Sequence, residues 1–400
     1  MLLDTQDERS QSRAARSARP PVFLATVGSA AETRTFSGAS VHMLAAGVRM
    51  GLISGGLPLA VGSFSWRARR IWWNLHRLAQ GERYGGYQYS RDFLERLWSG
   101  VKVQIRGATV VNVFQLYPPS VIADSSIRKI PYIDMTLKQL FDEYGIGRII
   151  GSRIAREAVA LEREGYRAAR WVVAQTRWAS ESLHSDYGVG WDRIRVVVPG
   201  ANLDAGAYER WEQQWRGFER PPSATLRLVF AGKDWRRKGL DRLLEGICAG
   251  RRLGLRASLM VVGCSRESLP PRLRSIEGVT WAGFIDETRE RLGFMDVVSG
   301  ADAGCLLSRA EAGGIAVREY HALGLAVLGT SAGGTRDYMF PESSLEIHKE
   351  ADAGEIGHIL LELNRDPQRL RAMRAAAWRS RAEALWEHTF RQLAPLLVAP

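Results

Sequence analysis

The chain has 400 residues, more than one hydrophobic core usually serves, so two domains are the natural expectation. Hydrophobic residues make up 46% of the sequence and charged residues 24%, which is the composition of an ordinary soluble globular protein. The formal net charge of +12 implies an anionic partner. A nucleotide diphosphate, an acidic membrane surface and nucleic acid all meet that requirement, and charge alone does not choose among them.

The first twenty residues, the apolar runs and the cysteines indicate where in the cell the protein is expected. Met1–Pro20 is polar and has no apolar segment of the signal-peptide type, so it is expected to be a disordered tail. Runs of 18 or more apolar residues do not occur, which predicts that no segment spans a membrane. Cys248, Cys264 and Cys305 lack metal-type spacing and are expected to be buried thiols in a reducing compartment.

The first half opens with a β-loop-α-β pattern. Pro21–Val27 is a strand-like apolar run, the loop Gly28–Gly38 follows, and a helical pattern runs from Ala39 to Met50. Leu57–Val61 is the second predicted strand. The loop lacks the G-x-G-x-x-G of dinucleotide-binding proteins.

The stretch Trp66–Gln80, WRARRIWWNLHRLAQ, combines tryptophans with arginines. From Arg67 to Arg106 there are nine Lys and Arg residues against three Asp and Glu residues. A basic helix with tryptophans is a candidate contact to an anionic membrane surface. The favoured alternative is that the tryptophans pack on the domain's own sheet while the arginines are solvated.

Further along, Gly107–Leu116 is a predicted strand and Pro118–Ile130 is loop-like. Asp134 precedes a predicted helix, Leu137–Tyr144, at a strand-to-helix transition whose residues project into the crevice of an α/β sheet. A helix N-cap is the favoured role for Asp134, and a role on the acceptor side of a reaction is the alternative.

Two more short strands, Arg170–Ala174 and Arg195–Val198, complete the first half. The turn Pro199–Asp204 follows, and residues 205–223, rich in Trp, Glu, Arg and Pro, are predicted to be an interdomain linker.

The second half repeats strand, helix and strand, which predicts a doubly wound parallel sheet. Its predicted strands are Leu226–Ala231, Ala257–Gly263, Val279–Asp286, Ala303–Leu307 and Leu325–Gly329.

Residues 232–239, G-K-D-W-R-R-K-G, form the loop after the first of these strands. In an α/β sheet this loop lies at the edge where ligands bind. Arg237 can bind a phosphate bidentately, and Lys238 can serve as a point charge. Such cations stabilise the negative charge that builds on a leaving diphosphate.

The segment Ser299–Thr335 places a carboxylate beside a glycine-opened helix. Glu311 lies in the loop after a strand, Gly313 and Gly314 open the helix, and Glu319 lies inside it. Free amides at a helix start favour an anion, and glycines let it approach the backbone. Carboxylates suit polyhydroxylated ligands because each can accept hydrogen bonds from neighbouring hydroxyls.

The run from Glu311 to Glu319, E-A-G-G-I-A-V-R-E, resembles the E-x7-E motif of the retaining family 4 glycosyltransferases, group 1, which have the GT-B fold. R-K-G at 237–239 also resembles a family signature, as does the turn ending at Asp204. The resemblance is continuous through the second half and patchier in the first, where the family's acceptor-side histidine has no counterpart near Asp134.

The resemblance implies roles for individual residues. Glu311, Lys238 and Arg237 would be catalytic, with the two cations also holding the donor diphosphate. Glu319 would bind the ribose. The other implied donor-binding residues are Gly38 in the first glycine loop, Ile285 beside the base, and Gly313, Gly314 and Ile315 at the helix start.

The resemblance also implies an architecture: two Rossmann-like doubly wound domains facing a cleft. The expected divisions are a tail at 1–20, an acceptor-side domain at 21–204, the linker at 205–223, a donor-binding domain at 224–378 and a closing helix at 379–400 that returns to the first domain.

The implied activity is retaining transfer of a sugar from a nucleotide-diphospho-sugar to a carbohydrate or lipid-linked acceptor, without a metal. The expected setting is bacterial cell-surface polysaccharide or glycoconjugate synthesis, in the cytoplasm or peripherally on the inner face of the membrane. A GT-B nucleotide-sugar epimerase or phosphorylase is the second hypothesis. A basic nucleic-acid-binding protein is the most distant one, supported only by Trp66–Gln80.

Overall fold

A computed structural model of the chain describes residues 20–32, 38–215, 224–285 and 291–398. Of the predicted tail, residues 1–19, and of the predicted linker, residues 216–223, lie outside the described residues, as does Asp286. Within the described part, no helix is both long and apolar enough to cross a membrane.

The first half builds one parallel sheet of six strands in the order β2-β1-β3-β4-β5-β6. The strands are β1 (Val22–Val27), β2 (Gly55–Leu59), β3 (Thr109–Asn112), β4 (Arg128–Ile133), β5 (Val172–Ala174) and β6 (Ile194–Val196). The helices between them are α1 (Ala39–Arg49), α2 (Ser63–Ala79), α3 (Arg91–Ser99), α4 (Pro119–Ala123), α5 (Leu137–Glu143), α6 (Ile146–Ile150), α7 (Ser152–Ala168) and α8 (Arg177–Ser185).

The second half repeats the arrangement, with the strand order β12-β11-β10-β7-β8-β9. The strands are β7 (Leu226–Ala231), β8 (Ala257–Val262), β9 (Val279–Gly283), β10 (Ala303–Leu306), β11 (Ala326–Thr330) and β12 (Ser344–Ile347). The helices are α9 (Ala205–Gln214), α10 (Leu240–Arg252), α11 (Pro271–Arg274), α12 (Arg291–Ser299), α13 (Ile315–Ala322), α14 (Thr335–Tyr338), α15 (Ala353–Arg365), α16 (Pro367–Ser380) and α17 (Trp386–Val398).

Each sheet is buried on both faces, as parallel sheets require. β10 is an example, because all four of its residues are buried: Ala303, Gly304, Cys305 and Leu306. Alternate residues of the second sheet enter two separate cores on its opposite faces. The first sheet has the same division.

The last helix returns to the first sheet. Trp386, Phe390 and Leu393 of α17 are buried in the same core as Val22 and Leu24 of β1. This confirms the predicted doubly wound GT-B architecture with its returning C-terminal helix. It also means that the chain crosses between the two sheets twice.

The segment Pro118–Ile130, expected to be loop-like, contains α4 and the start of β4. The loop-like expectation was therefore wrong for α4 and for the start of β4. Pro131 lies inside β4 and cannot donate a ladder hydrogen bond. The strand forms nevertheless, since Asn112 of β3 pairs with Pro131 in register and the surrounding residues are buried.

The predicted linker is partly helical. α9 covers residues 205–214, and its Tyr208 and Trp211 are buried in a core of the second sheet. The Tyr208 hydroxyl donates to the carbonyl of Ala322, 2.8 Å away, which ties the connection to the second half.

Candidate active site

The cationic loop of residues 232–239 joins β7 to α10 and packs directly on the end of β10. Gly239 has a φ of +74°, and a Cβ there would lie 1.9 Å from the carbonyl oxygen of Leu307. Only glycine fits that position. A Cβ at Gly232 would lie 2.4 Å from Cδ of Lys238, so Gly232 provides the space for the lysine's aliphatic chain.

Arg237 and Lys238 converge on Glu311. Arg237 Nη1 lies 2.9 Å from Glu311 Oε2, and Lys238 Nζ lies 3.2 Å from the same oxygen. The three side chains are largely buried, with 28%, 17% and 12% of their surfaces exposed. Arg237 Nε also lies 3.3 Å from Asp234 Oδ2. Carboxylates thus hold both cations in place at the sheet edge where ligands bind in α/β folds.

The loop after β11 holds the backbone of Glu311. The amide of Gly334 donates to the carbonyl of Glu311 over 3.2 Å. A Cβ at Gly333, whose φ is +55°, would lie 2.0 Å from that same carbonyl oxygen. The glycines of this loop therefore hold the Glu311 backbone in place by close approach.

Helix α13 opens beside this carboxylate. Gly314, with a φ of 117°, precedes the first helical residue, Ile315, and no side chain caps the helix start. Its amide groups with the helix dipole favour an anion next to Glu311. Gly324, with a φ of +72°, follows the helix.

Glu319, on α13, is only 6% exposed. It lies within the helix between buried neighbours, one turn beyond the glycines. Its predicted contact with a ribose stays a prediction.

Asp134 faces this site from the first half. It follows β4 directly and is partly buried. Burial raises the pKa of its carboxyl to about 6, and the negative charge of nearby Glu311 acts in the same direction. The two carboxylates therefore interact across the cleft between the sheets.

Asp134 is not the cap of α5, so the favoured N-cap interpretation was wrong. Thr136 caps this helix: its Oγ1 accepts from the amide of Gln139 over 3.2 Å, and Gln139 Oε1 accepts from the amide of Thr136 over 3.0 Å. This reciprocal capping box leaves Asp134 outside the helix.

Tyr144 is a site residue that sequence reasoning missed. It ends α5, and burial raises the pKa of its phenol to about 12, reinforced by the charge of Glu311. The backbone of Ala312, next to Glu311, acts in the opposite direction and lowers the pKa of the same phenol. No sequence pattern pointed to it, because the contact joins residues far apart in the chain.

Glu162 fixes the segment from Asp134 to Tyr144. It is fully buried on α7, and both of its oxygens accept from the amide of Leu137, over 3.1 and 3.0 Å. The Tyr166 hydroxyl donates to it over 2.6 Å, and the Tyr187 hydroxyl is a further donor. Burial raises the pKa of Glu162 to about 7. The buried carboxyl of Glu162 thus fixes the first turn of α5.

Two hydrogen bonds close the cleft beside the site. The backbone amide of Arg177 donates to Asp337 over 2.7 Å, and the hydroxyl of Tyr338 donates to Gln175 over 3.1 Å. A Cβ at Gly313 would lie 2.3 Å from the Tyr338 ring, so glycine at this position leaves room for the tyrosine.

Two predicted donor residues lie at the margins of the described structure. Gly38, with a φ of 85°, precedes α1 and directly follows residues that are outside the described part of the chain. Ile285 is the last described residue before another such gap, and its side chain packs against a core of the second sheet. Beside it, Lys233 Nζ lies 4.5 Å from the ring centre of Phe284, which is 63% exposed.

Within the described ranges, no group of three or more His, Cys, Asp and Glu side chains could hold a metal ion. The expectation of a metal-independent reaction stays a prediction.

Comparison with known proteins matches residues 225–366 to the family model of Glycosyl transferases group 1. The D-inositol 3-phosphate glycosyltransferase of Xylanimonas cellulosilytica is 29% identical over 203 residues, 48% of this chain and 45% of that protein. The protein of the same name from Thermobispora bispora is 28% identical over 233 residues, 56% and 54% of the two chains. The match thus spans about half the length of these curated relatives.

Solved structures resemble the whole fold. WaaG, a glycosyltransferase involved in lipopolysaccharide biosynthesis, has a TM-score of 0.60 and 16% identity, covering 95% of this chain and all of WaaG. Anabaena HepE in complex with UDP and glucose has a TM-score of 0.62 and 14% identity, with the same coverage. The chain therefore has the GT-B fold, and its residues 225–366 match the Glycosyl transferases group 1 model.

Proposed function

We propose that this protein is a retaining glycosyltransferase that moves a sugar from a nucleotide-diphospho-sugar to an acceptor hydroxyl. The observation that carries the proposal is the convergence of Arg237 and Lys238 on Glu311 at the carboxyl edge of the second sheet, with Asp134 opposite. The match of residues 225–366 to a glycosyltransferase family supports the same conclusion.

The cations would act on the leaving group. Cleavage of the bond between the sugar and the diphosphate builds negative charge on the bridging oxygen. Arg237 and Lys238 are fixed by their loop, so they can meet that charge without reorganising. On donor binding they would exchange the Glu311 carboxylate for phosphate oxygens, and the α13 amides would add further donors.

Glu311 would then be free to bind sugar hydroxyls and to support the positive charge that develops at the anomeric carbon. Asp134 would accept a hydrogen bond from the acceptor hydroxyl, with Tyr144 closing the site. The cleft would hold both substrates in reacting orientation, which is a large part of the acceleration available to such a reaction.

The acceptor is proposed to be a carbohydrate or lipid-linked hydroxyl in bacterial cell-surface polysaccharide or glycoconjugate synthesis. Inositol phosphate is a first candidate because the two curated relatives are named for it. The three free thiols fit the reducing cytoplasm, where we place the reaction.

The test is a product assay with a panel of nucleotide sugars, with and without acceptors that include D-inositol 3-phosphate. Mass spectrometry identifies the product, and NMR of the new linkage reports the anomeric configuration. Acceptor-dependent release of nucleoside diphosphate with a retained linkage supports the proposal. Formation of an epimer without acceptor, or of a sugar phosphate from added phosphate, would replace it with epimerase or phosphorylase activity.

A further inference from the structure

Helix α2 has two apolar faces, and one of them points to solvent. Ile71, Trp72, Leu75 and Leu78 are 59%, 67%, 61% and 56% exposed. Their spacing along the helix places them on one side. We call these four residues the outer face of α2. A contiguous exposed apolar surface of this kind usually marks a binding site.

The opposite face fixes the helix to the protein. Trp73 packs against the core of the first sheet, and its indole donates to the carbonyl of Gly85 over 3.0 Å. Arg77 is 4% exposed and donates to the carbonyls of Arg83 and Ile150 over 2.8 and 3.1 Å. The expectation that the tryptophans pack inward is therefore correct for Trp66 and Trp73 and wrong for Trp72. With this anchoring, the outer face cannot turn into the core.

The charges of α2 favour one kind of partner. The helix contains four arginines and no acidic residue, and Arg67, Arg69 and Arg70 are exposed. A tryptophan and aliphatic side chains bordered by arginines match the surface of an anionic bilayer, where the apolar groups enter the headgroup region and the arginines meet lipid phosphates.

The position of α2 also fits this partner. The helix begins at Ser63, four residues after the carboxyl end of β2, and is about 25 Å long from its 17 residues. The carboxyl ends of the parallel strands of this sheet include that of β4, which precedes Asp134. The amino-terminal end of α2 therefore lies at the edge of the sheet that faces the cleft.

We propose that the outer face of α2 docks this protein on the surface of an anionic lipid bilayer. A second copy of the chain fits less well, because it would present the same positive charge to this face. Nucleic acid fits less well too, since three of the four outer-face side chains are aliphatic and offer no stacking surface to bases.

The experiment is vesicle co-sedimentation of the full chain without donor or acceptor. One set of vesicles is phosphatidylcholine, and the other is an equimolar mixture of phosphatidylcholine and phosphatidylglycerol. The variants are the triple substitution Ile71→Ser, Trp72→Ser, Leu75→Ser and the single substitution Arg67→Glu. Thermal unfolding of each variant checks that it is folded.

Trp191→Ser is the matched control. Trp191 is 53% exposed and stacks on His184 with ring centres 4.6 Å apart, as Trp72 stacks on His76 at 5.3 Å. It lies elsewhere on the same half of the chain, just before β6.

We expect the wild type and Trp191→Ser to bind the anionic vesicles equally and the neutral vesicles much less. The triple variant should lose at least roughly tenfold in partitioning because the apolar contact is removed. Arg67→Glu reverses one charge, which is a change of two charge units. At about 1 kcal/mol per unit and about one decade per 1.4 kcal/mol, its binding to anionic vesicles should fall roughly 30-fold. Its binding to neutral vesicles should not change.

Three results would overturn the proposal: no binding of wild type to anionic vesicles, equal binding by the triple variant, or an equal loss in Trp191→Ser. Concentration-dependent dimerisation lost in the triple variant, without vesicle binding, would assign the face to a second copy instead. Transfer to a water-soluble acceptor is measured separately, so failure of docking and failure of the proposed activity are distinguishable.

Discussion

Replacement of Lys238 by alanine should weaken binding of nucleoside diphosphates while leaving the protein folded. Lys238 Nζ lies 3.2 Å from Glu311, and its side chain is 17% exposed, so the ammonium is held in one place by its loop. A hydrogen bond from such a charged donor contributes about 1.5–3 kcal/mol. That range corresponds to roughly a 10- to 150-fold rise in Kd.

The lower part of this range is the better expectation. In the free protein Lys238 is already paired with Glu311, so binding exchanges one anionic partner for another. The folded state should tolerate the substitution, because Arg237 still neutralises Glu311 from 2.9 Å. We therefore expect Kd to rise roughly 10- to 30-fold, with little change in Tm.

Calorimetric titration with UDP and other nucleoside diphosphates measures the effect. Arg236→Ala is the matched control, since it removes the same charge from an exposed position of the same loop. Screening by salt should keep its effect below about twofold. Unchanged affinity in Lys238→Ala, or an equal loss in both variants, would refute the phosphate assignment.

Three further predictions address the rest of the site. Glu311→Gln should lower the transfer rate by at least roughly 100-fold without weakening diphosphate binding, measured by product assay and calorimetry; a normal rate contradicts its role. The pKa of Asp134 is raised to about 6, so its charged form is lost as pH falls through that value. Plotted against pH, kcat/KM should therefore fall toward acid pH, and Asp134→Asn should remove this pH dependence. A wild-type kcat/KM that stays constant over roughly pH 5 to 7.5, the range around that pKa, contradicts the role of Asp134. Gly313→Ala places a Cβ about 2.3 Å from the Tyr338 ring and should cost about 1–3 kcal/mol of stability in thermal unfolding. Gly55→Ala, which meets nothing within 4 Å, is its control, and equal Tm values for the two contradict the packing argument.

Most of the second sheet followed from sequence, because its strands are short apolar runs separated by clear helices. The E-x7-E segment and the cationic loop lie next to strand ends, and parallel topology brings all such ends to one edge. The contact between Lys238 and Glu311, 73 residues apart, was therefore within reach of sequence reasoning.

Contacts that depend on tertiary packing were out of reach. Tyr144 meets the site from the end of a helix whose first turn Glu162 holds, and neither residue stands in a recognisable motif. Asp134 was assigned to a cap because it precedes a helix, yet Thr136, two residues closer, performs that role. Local spacing did not distinguish between them.

The amphipathic pattern of α2 was ambiguous for a related reason. Both faces of the helix carry tryptophan, so composition could not show which face packs inward. Long-range anchors decided it: Arg77 reaches the carbonyl of Ile150, and Trp73 reaches Gly85.

A crystal structure with a bound nucleoside diphosphate would show whether Arg237, Lys238 and Glu311 form one activated-sugar site. We expect phosphate oxygens about 3 Å from Lys238 Nζ and the Arg237 guanidinium, with Glu311 released toward the sugar position. A diphosphate bound elsewhere, with both cations still on Glu311, would contradict it.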